Sequence, residues 1–327
     1  MDRSSFVRFA AKGLLTLPFG AVAQSGDGRV RRVAFMIQGV VPNPPRPGPF
    51  LLAMRELGYV EDQNLMLVRR GAEGDNKRFP SLIRELIATA PEVIVAETTP
   101  GALAAKRATS TIPIVIINVS DPVGSGLVDS LARPGGNVTG FSDYGTELAE
   151  KQVELIRAVV PKAVRLGVLM SDNPVHPSQF EVIRAAAGRL SMSALSVRVQ
   201  SFDDLDPAFS AMVAQRVDAF IQLGGAFDST VQQADMVIAL AAKARLPAIH
   251  AAGIVVRRGG LMSYGTNASA AWRQVAVYVD RILKGAKPAD LPVQQPTNFE
   301  LFINRKTVAN LGIKVPQTLE LIAEFID

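Results

Sequence analysis

The chain has no cysteine, two histidines (His176 and His250) and one tryptophan in 327 residues. The missing thiols exclude disulfides, thiolate metal ligands and a lipid-modified cysteine anchor. Two histidines without cysteine give little from which to build a nitrogen- or sulfur-ligated metal centre, so neither a metal nor another cofactor is expected. The searchable enzyme signatures are also missing. No G-x-G-x-x-G follows the first apolar run, VGSGLVD (123–129) lacks the third glycine, and there is no Walker A lysine loop or G-x-S-x-G elbow. No Asp or Glu pair stands at a spacing that marks acid–base work, and the chain is not expected to be an enzyme. Net charge is only +5, and Arg3, Arg8 and Lys12 less Asp2 give residues 1–23 a net +2 of it. The remaining Lys and Arg are scattered among acids, with no basic stripe interleaved with aromatics, so nucleic acid is not an expected partner. No apolar run approaches the roughly 20 residues of a membrane-spanning helix, so no stable membrane insertion is expected.

What is present begins with an address. Arg3, Arg8 and Lys12 precede the apolar run LLTLPFGAVA, and Ala21-Val22-Ala23 forms a small-x-small site before Gln24. That is the layout of a secretory signal peptide cleaved near Ala23-Gln24, which places a soluble mature protein in a periplasm. The other reading is a frayed amphipathic arm. Hydrophobic residues at 48% and charged residues at 20% describe a globular, well-packed chain whose length fits about two domains.

From residue 31 onward, short apolar strands alternate with helical runs. Strands are expected at 31–37, 65–70, 92–97 and 112–118, with helices at 50–58, 78–89, 101–109 and 126–132. The rhythm breaks at SLARPGGNVTG (130–140), where Pro134 stops a helix and Gly135-Gly136-Asn137 permits a turn into a short strand. It then restarts, with helices at 147–160, 177–190, 206–215 (capped by Asp206), 229–245 (capped by Ser229) and 270–285. The intervening strands fall at 165–170, 194–201, 218–224 and 246–251. Further breaks fall at GGLMSYGTN (259–267) and LPVQQPTNFELFIN (291–304). Near-continuous apolar strands between helices mark a parallel sheet covered on both faces. The expected class is therefore α/β, with two doubly wound parallel-sheet lobes joined by three hinge crossings. Lobe 1 takes 31–137 and 266–290; lobe 2 takes 138–265 and 291–327.

The stretches MRELGYVEDQN, RGAEGD, PGALAAKRATSTIPIV, DPVGSGLVDSLARPGGNVTG, GGLMSYG, RILKGAKPADLPVQQPTNFELFIN and TVANLGIKVPQTL occur in this order. Together, over about residues 31–320, they closely resemble the periplasmic substrate-binding proteins of ABC transporters, in the family related to tryptophan- and tyrosine-binding proteins. The resemblance implies a type I periplasmic-binding-protein fold, capture of a small ligand by hinge closure, and delivery to an inner-membrane permease. An amino acid is the implied ligand, with an aromatic one favoured. The protein is expected to act as a monomer. Four places depart from the family pattern: Asp62 and Glu97 stand where glycine is usual or frequent, the loop VVPNPPRPGPF (40–50) is rich in proline, and SDNPVHPSQF (171–180) differs from the common form. The last three lie where specificity would be set.

Ligands of open α/β sheets bind beyond the carboxyl ends of the strands, which selects the candidate ligand-binding residues. Gln38 follows the first strand. Glu97 ends the third and either binds a cation or polar group or pairs with an arginine. Thr98 and Thr99 open a helix and either present an anion site or cap their own backbone. Asp121 either pairs with a ligand ammonium or caps the helix that begins near Gly124, with Ser120 adding a hydroxyl. Tyr144 and Tyr264 flank crossings and either wall the pocket or pack the hinge. Asn173 is a contact or an Asx-turn residue, and Asp228 a contact or a helix-start charge. His250 either reaches the ligand or is a satisfied structural histidine. Two other functions fit parts of this pattern. A periplasmic sensor signalling to a membrane kinase would share these features. A repressor-type regulator needs a helix-turn-helix that residues 1–30 cannot supply.

Overall fold

A computed structural model describes residues 29–41, 48–225 and 227–327. The proposed signal segment, 1–23, and most of the proline-rich loop lie outside the described residues.

The first lobe opens with β1 (Arg31–Ile37), α1 (Pro49–Glu56), β2 (Leu65–Gly71), α2 (Phe79–Ala88), β3 (Val93–Glu97), α3 (Thr99–Ala108), β4 (Ile114–Val119) and β5 (Val138–Ser142). The strands form one parallel five-stranded sheet ordered β2-β1-β3-β4-β5. In β1, Val33 and Phe35 face one side, Ala34 and Met36 the other, and all four are buried. The chain must therefore cover both faces. One is covered by α1 with a later helix, the other by α2 and α3.

The second lobe holds α4 (Gly145–Val159), β6 (Arg165–Met170), α5 (His176–Arg189), β7 (Ser193–Arg198), α6 (Leu205–Ala214), β8 (Ala219–Gln222), α7 (Val231–Ala244), β9 (Ala248–His250), α8 (Gly253–Arg257) and β10 (Met262–Thr266). The chain then returns to lobe 1 as α9 (Ala268–Leu283), whose residues Ala271, Val275 and Val279 pack with α1 residues Phe50 and Met54. It ends in lobe 2 with β11 (Phe299–Asn304), α10 (Arg305–Leu311), α11 (Gln317–Glu320) and β12 (Glu324–Ile326). The second sheet runs β12-β11-β10-β9-β8-β6-β7 and is parallel except where β11 runs antiparallel to β10. Two α/β lobes linked by three crossings are the expected class.

The second crossing falls where expected, between β10 and α9, while the first and third fall later than the expected lobe bounds. Val138–Ser142 is not the start of lobe 2: it hydrogen-bonds to β4 and completes the first sheet, so the chain crosses at Asp143 and Tyr144. Gly140 permits this pairing, because at φ +134° a Cβ would lie 2.5 Å from the Ile116 carbonyl oxygen. Residues 291–294 also stay with lobe 1. The Gln294 N–H donates to the Gly140 carbonyl, Leu291 and Val293 enter lobe 1 cores, and the third crossing follows. The helix expected at 126–132 is a series of turns: Gly126 takes φ +72°, and the Leu127 and Val128 N–H groups donate back to the Pro122 carbonyl. Two caps shift as well. Asp204 with Ser201 forms a capping box ahead of α6, leaving Asp206 in its first turn, and Thr230 with Gln233 caps α7 in place of Ser229.

No helix among the described residues is long and apolar enough to cross a membrane.

Candidate ligand-binding cleft

In each sheet the strand order reverses beside the first strand of its lobe, and such switch points open a crevice at the strands' carboxyl ends. In lobe 1 the reversal lies between β1 and β3, followed by Gln38-Gly39 and Glu97-Thr98. In lobe 2 it lies between β6 and β8, followed by 171–175 and 223–230. The two crevices face each other and enclose a cavity of about 360 Å³. The lobes touch around it. The Asn76 side chain of lobe 1 donates to the Asp172 carboxylate of lobe 2, and Gly39 lies against the Ser229 backbone.

The crossings that carry the lobes share an aromatic contact. Phe299, after the third crossing, meets Tyr144 of the first edge-on at 5.7 Å and Tyr264, ahead of the second, at 6.0 Å. The Gln152 side chain donates to the Tyr264 carbonyl at 3.0 Å, and Asn267 caps α9. Tyr144 is thus a hinge residue outside the cavity lining, while Tyr264 is both hinge and wall.

Three carboxylates line the cavity. Glu97 accepts from the Gln38 N–H at 2.8 Å and the Asn118 side chain at 3.1 Å. Burial pushes its carboxyl up from the usual range, and these hydrogen bonds oppose that shift. Among the described residues no arginine pairs with it, and its partners there are the Gln38 N–H and the Asn118 amide. Asp228, on lobe 2, accepts from the Gly225 N–H at 2.9 Å. Burial, reinforced by the Glu97 charge, pushes it up to about 6. The third carboxylate, Asp143, was not foreseen. It sits in the first crossing, accepts from the Ser120 hydroxyl at 2.6 Å and the Gly145 N–H at 2.9 Å, and is pushed up by burial. Its signal was present: an acid two residues ahead of Gly145 and the helical run ELAEKQVELIR. Placing the crossing upstream hid it. No group of three or more His, Asp or Glu residues among the described residues is placed to hold a metal ion.

Strained backbone collects at the same strand ends. Thr98 (φ 65°) follows β3 and Asn118 (φ 54°) is the last residue but one of β4, and both line the cavity. The Thr98 conformation (ψ 158°) is one that essentially only glycine adopts freely, and it costs on the order of 1–3 kcal/mol. Further residues that line the cavity without having been singled out are Asn118, Gln179 and Trp272, whose ring stacks on Phe35.

Several expected contacts lie elsewhere. Gln38 is buried behind the lining, where its side-chain oxygen accepts from Thr98 and its N–H holds Glu97. Thr99 is fully buried and donates to the Ser120 carbonyl. Asp121 is exposed and accepts from the Gly124 N–H at 2.7 Å, the capping role. His250 is a core residue of lobe 2, edge-on to Phe220 and bonded to the Gln222 carboxamide; burial alone takes its pKa down to about 3. It still bears on the site indirectly, since Gln222 donates onward to the Phe227 carbonyl beside Asp228. Glu97, Thr98, Ser120, Asn173, Asp228 and Tyr264 are brought together in the lining. Asn173 also makes the Asx turn, accepting from the Val175 N–H.

Two hinged α/β lobes closing on an interlobe cavity define a ligand-capturing protein of the type I periplasmic-binding fold. The chain belongs to the ABC transporter substrate binding protein family, which matches residues 48–325. Members of that family bind substrates and are not enzymes. A tyrosine-binding protein of Clostridioides difficile is 27% identical over 266 residues, covering 81% of this chain and 76% of that protein. A Streptococcus pneumoniae ABC domain solved in complex with L-Trp superposes with a TM-score of 0.81 at 26% identity, covering 91% of this chain and 99% of that one. A Vibrio cholerae conserved domain protein gives 0.81 at 29% identity, covering 91% and 100%.

Proposed function

We propose that this protein is the solute-binding component of an ABC importer, that it captures an amino-acid-like ligand in the interlobe cleft, and that it delivers the ligand to an inner-membrane permease. The observation that carries this reading is the cavity itself. Polar side chains from both lobes meet over it, so one ligand contacts Glu97 and Thr98 on one side and Asn173 and Asp228 on the other. Contacts from the second lobe then favour the closed form, and closure is the signal a permease reads. The Tyr264 and Trp272 rings on the wall, with relatives named for tyrosine or bound to L-Trp, favour an aromatic side chain. Residues 1–23 act as the export signal, and the mature chain works as a monomer in the periplasm.

A thermal-shift screen of residues 24–327 against amino acids, nucleosides, sugars and aromatic acids tests the reading. A ligand at about 100 times its dissociation constant adds about 2.7 kcal/mol of stability. A shift with tyrosine, tryptophan or phenylalanine supports it. A shift with sugars or nucleosides alone would overturn the amino-acid assignment.

A further inference from the structure

The described lining of the cavity is acidic. Glu97, Asp143 and Asp228 all line it, and no Lys, Arg or His among the described residues does. Among the described residues each carboxylate is held by neutral donors: backbone N–H groups, the Asn118 amide and the Ser120 and Ser229 hydroxyls. An ionised carboxylate offers about four lone-pair sites, so each keeps acceptor capacity. His176, behind the Gly224 loop, adds no cation. Its Nδ1 accepts from the Ser171 N–H, its Nε2–H donates to the Gly224 carbonyl, and burial favours the neutral ring.

Helix starts offset part of this charge. Thr98, Gly145, Asn173 and Ser229, at or just ahead of the starts of α3, α4, α5 and α7, line the cavity. Each start carries a partial positive charge that eases part of this acid, while burial raises all three carboxyls, so that a cation placed among them would favour their ionised forms. An independent group points the same way. Gln179 is 4% exposed and lines the cavity, and its side-chain oxygen has no hydrogen-bond partner. It is a buried acceptor that needs a donor, and leaving it unmet is unfavourable. Around these polar groups the wall is apolar or aromatic: Leu148, Leu223, Ile254, Tyr264 and Trp272.

We infer that the cleft takes an organic cation, a molecule with a protonated amine on an apolar or aryl body and a net positive charge. This rests on the capture reading above and narrows it. A neutral zwitterion brings a further carboxylate into a cleft that three acids already line, whereas a net cation does not. An arylalkylamine, or an amino acid with a basic side chain, matches both the charge and the donor that Gln179 lacks.

The test is calorimetric titration of the protein with matched sets: tyrosine against tyramine, tryptophan against tryptamine, each against its deaminated acid, and lysine and arginine as the basic amino acids. The inference expects tyramine, tryptamine, lysine or arginine to bind about tenfold or more tighter than tyrosine and tryptophan, with the deaminated acids not binding. It also expects Asp228→Asn and Glu97→Gln to erase that preference while their unliganded circular dichroism stays that of the parent. Tighter binding of tyrosine or tryptophan than of all four cations would overturn the inference and leave the amino-acid reading standing. Binding of the deaminated acids alone would overturn both. A cation preference unchanged in both variants would place the cation elsewhere and overturn the assignment to these carboxylates.

Discussion

Gly39, at the carboxyl end of β1, meets Ser229 of the opposite lobe so closely that a Cβ there would lie 2.4 Å from the Ser229 carbonyl oxygen. The Gly39 backbone is outside the positive-φ region, so an alanine is strained by the other lobe and not by its own conformation. Gly39→Ala is therefore expected to leave the stability of the open protein within about 0.5 kcal/mol and to weaken ligand affinity about tenfold or more, because only the closed form clashes. A titration paired with a thermal melt checks this. Equal losses in both would place the clash in the open state and contradict the account.

The Asp228 carboxyl gives a prediction with a sign. Its folded pKa is raised to about 6 by burial first, against about 3.9 unfolded, so the folded state binds more protons between those values. The folded protein is then destabilised by this group as pH rises through that window, and the penalty is complete above about 6. Asp228→Asn removes the charge and keeps an oxygen for the Gly225 N–H. It is expected to raise the melting temperature of the unliganded protein at neutral pH and to leave it unchanged near pH 4. Glu97, which faces Asp228, and Asp143 are raised in the same direction; His176 and His250 are lowered and act oppositely, so the comparison is made variant against parent at each pH. A melting temperature lowered equally at both pH values would contradict it.

His250 is expected to matter for stability and only indirectly for binding. Its ring fills the lobe 2 core and bonds to Gln222. His250→Ala removes a buried ring and the donor to a buried carboxamide, and should cost about 2–4 kcal/mol in a denaturant melt. Ligand affinity measured well below the melting temperature should fall severalfold at most, through slackening of the Gln222–Phe227 link. Complete loss of binding in a folded variant would instead make His250 a contact residue.

The fold was legible because strands buried on both faces leave unbroken apolar runs. RRVAFMI (31–37) and RLGVLM (165–170) coincide with β1 and β6. The crossings were less legible. Val138–Ser142 reads as a fresh start because it follows Pro134 and a glycine pair, yet its partner β4 lies well upstream, and pairing across such a gap leaves no local trace. The cleft was half legible. Acids and hydroxyls at strand ends were found by position, which picks out Glu97, Thr98 and Asp228 along with Thr99, whose hydroxyl donates to the Ser120 carbonyl, and Asp121, which accepts from the nearby Gly124 N–H. Position alone could not show which strand end looks into the cavity. Trp272 escaped because it belongs to a helix of the returning segment, not to any strand-end loop.

That residue also offers the most direct measurement. Trp272 is the chain's one tryptophan, and it lines the cleft. Its emission, excited at the red edge of indole absorption where phenols do not absorb, is to be followed during titration with tyramine and with tyrosine. Whichever of the two raises the melting temperature should shift Trp272 emission saturably, with the dissociation constant that calorimetry gives, and Gly39→Ala should weaken both readouts together. A thermal shift with no change in Trp272 emission would place the ligand outside the interlobe cleft and contradict the account.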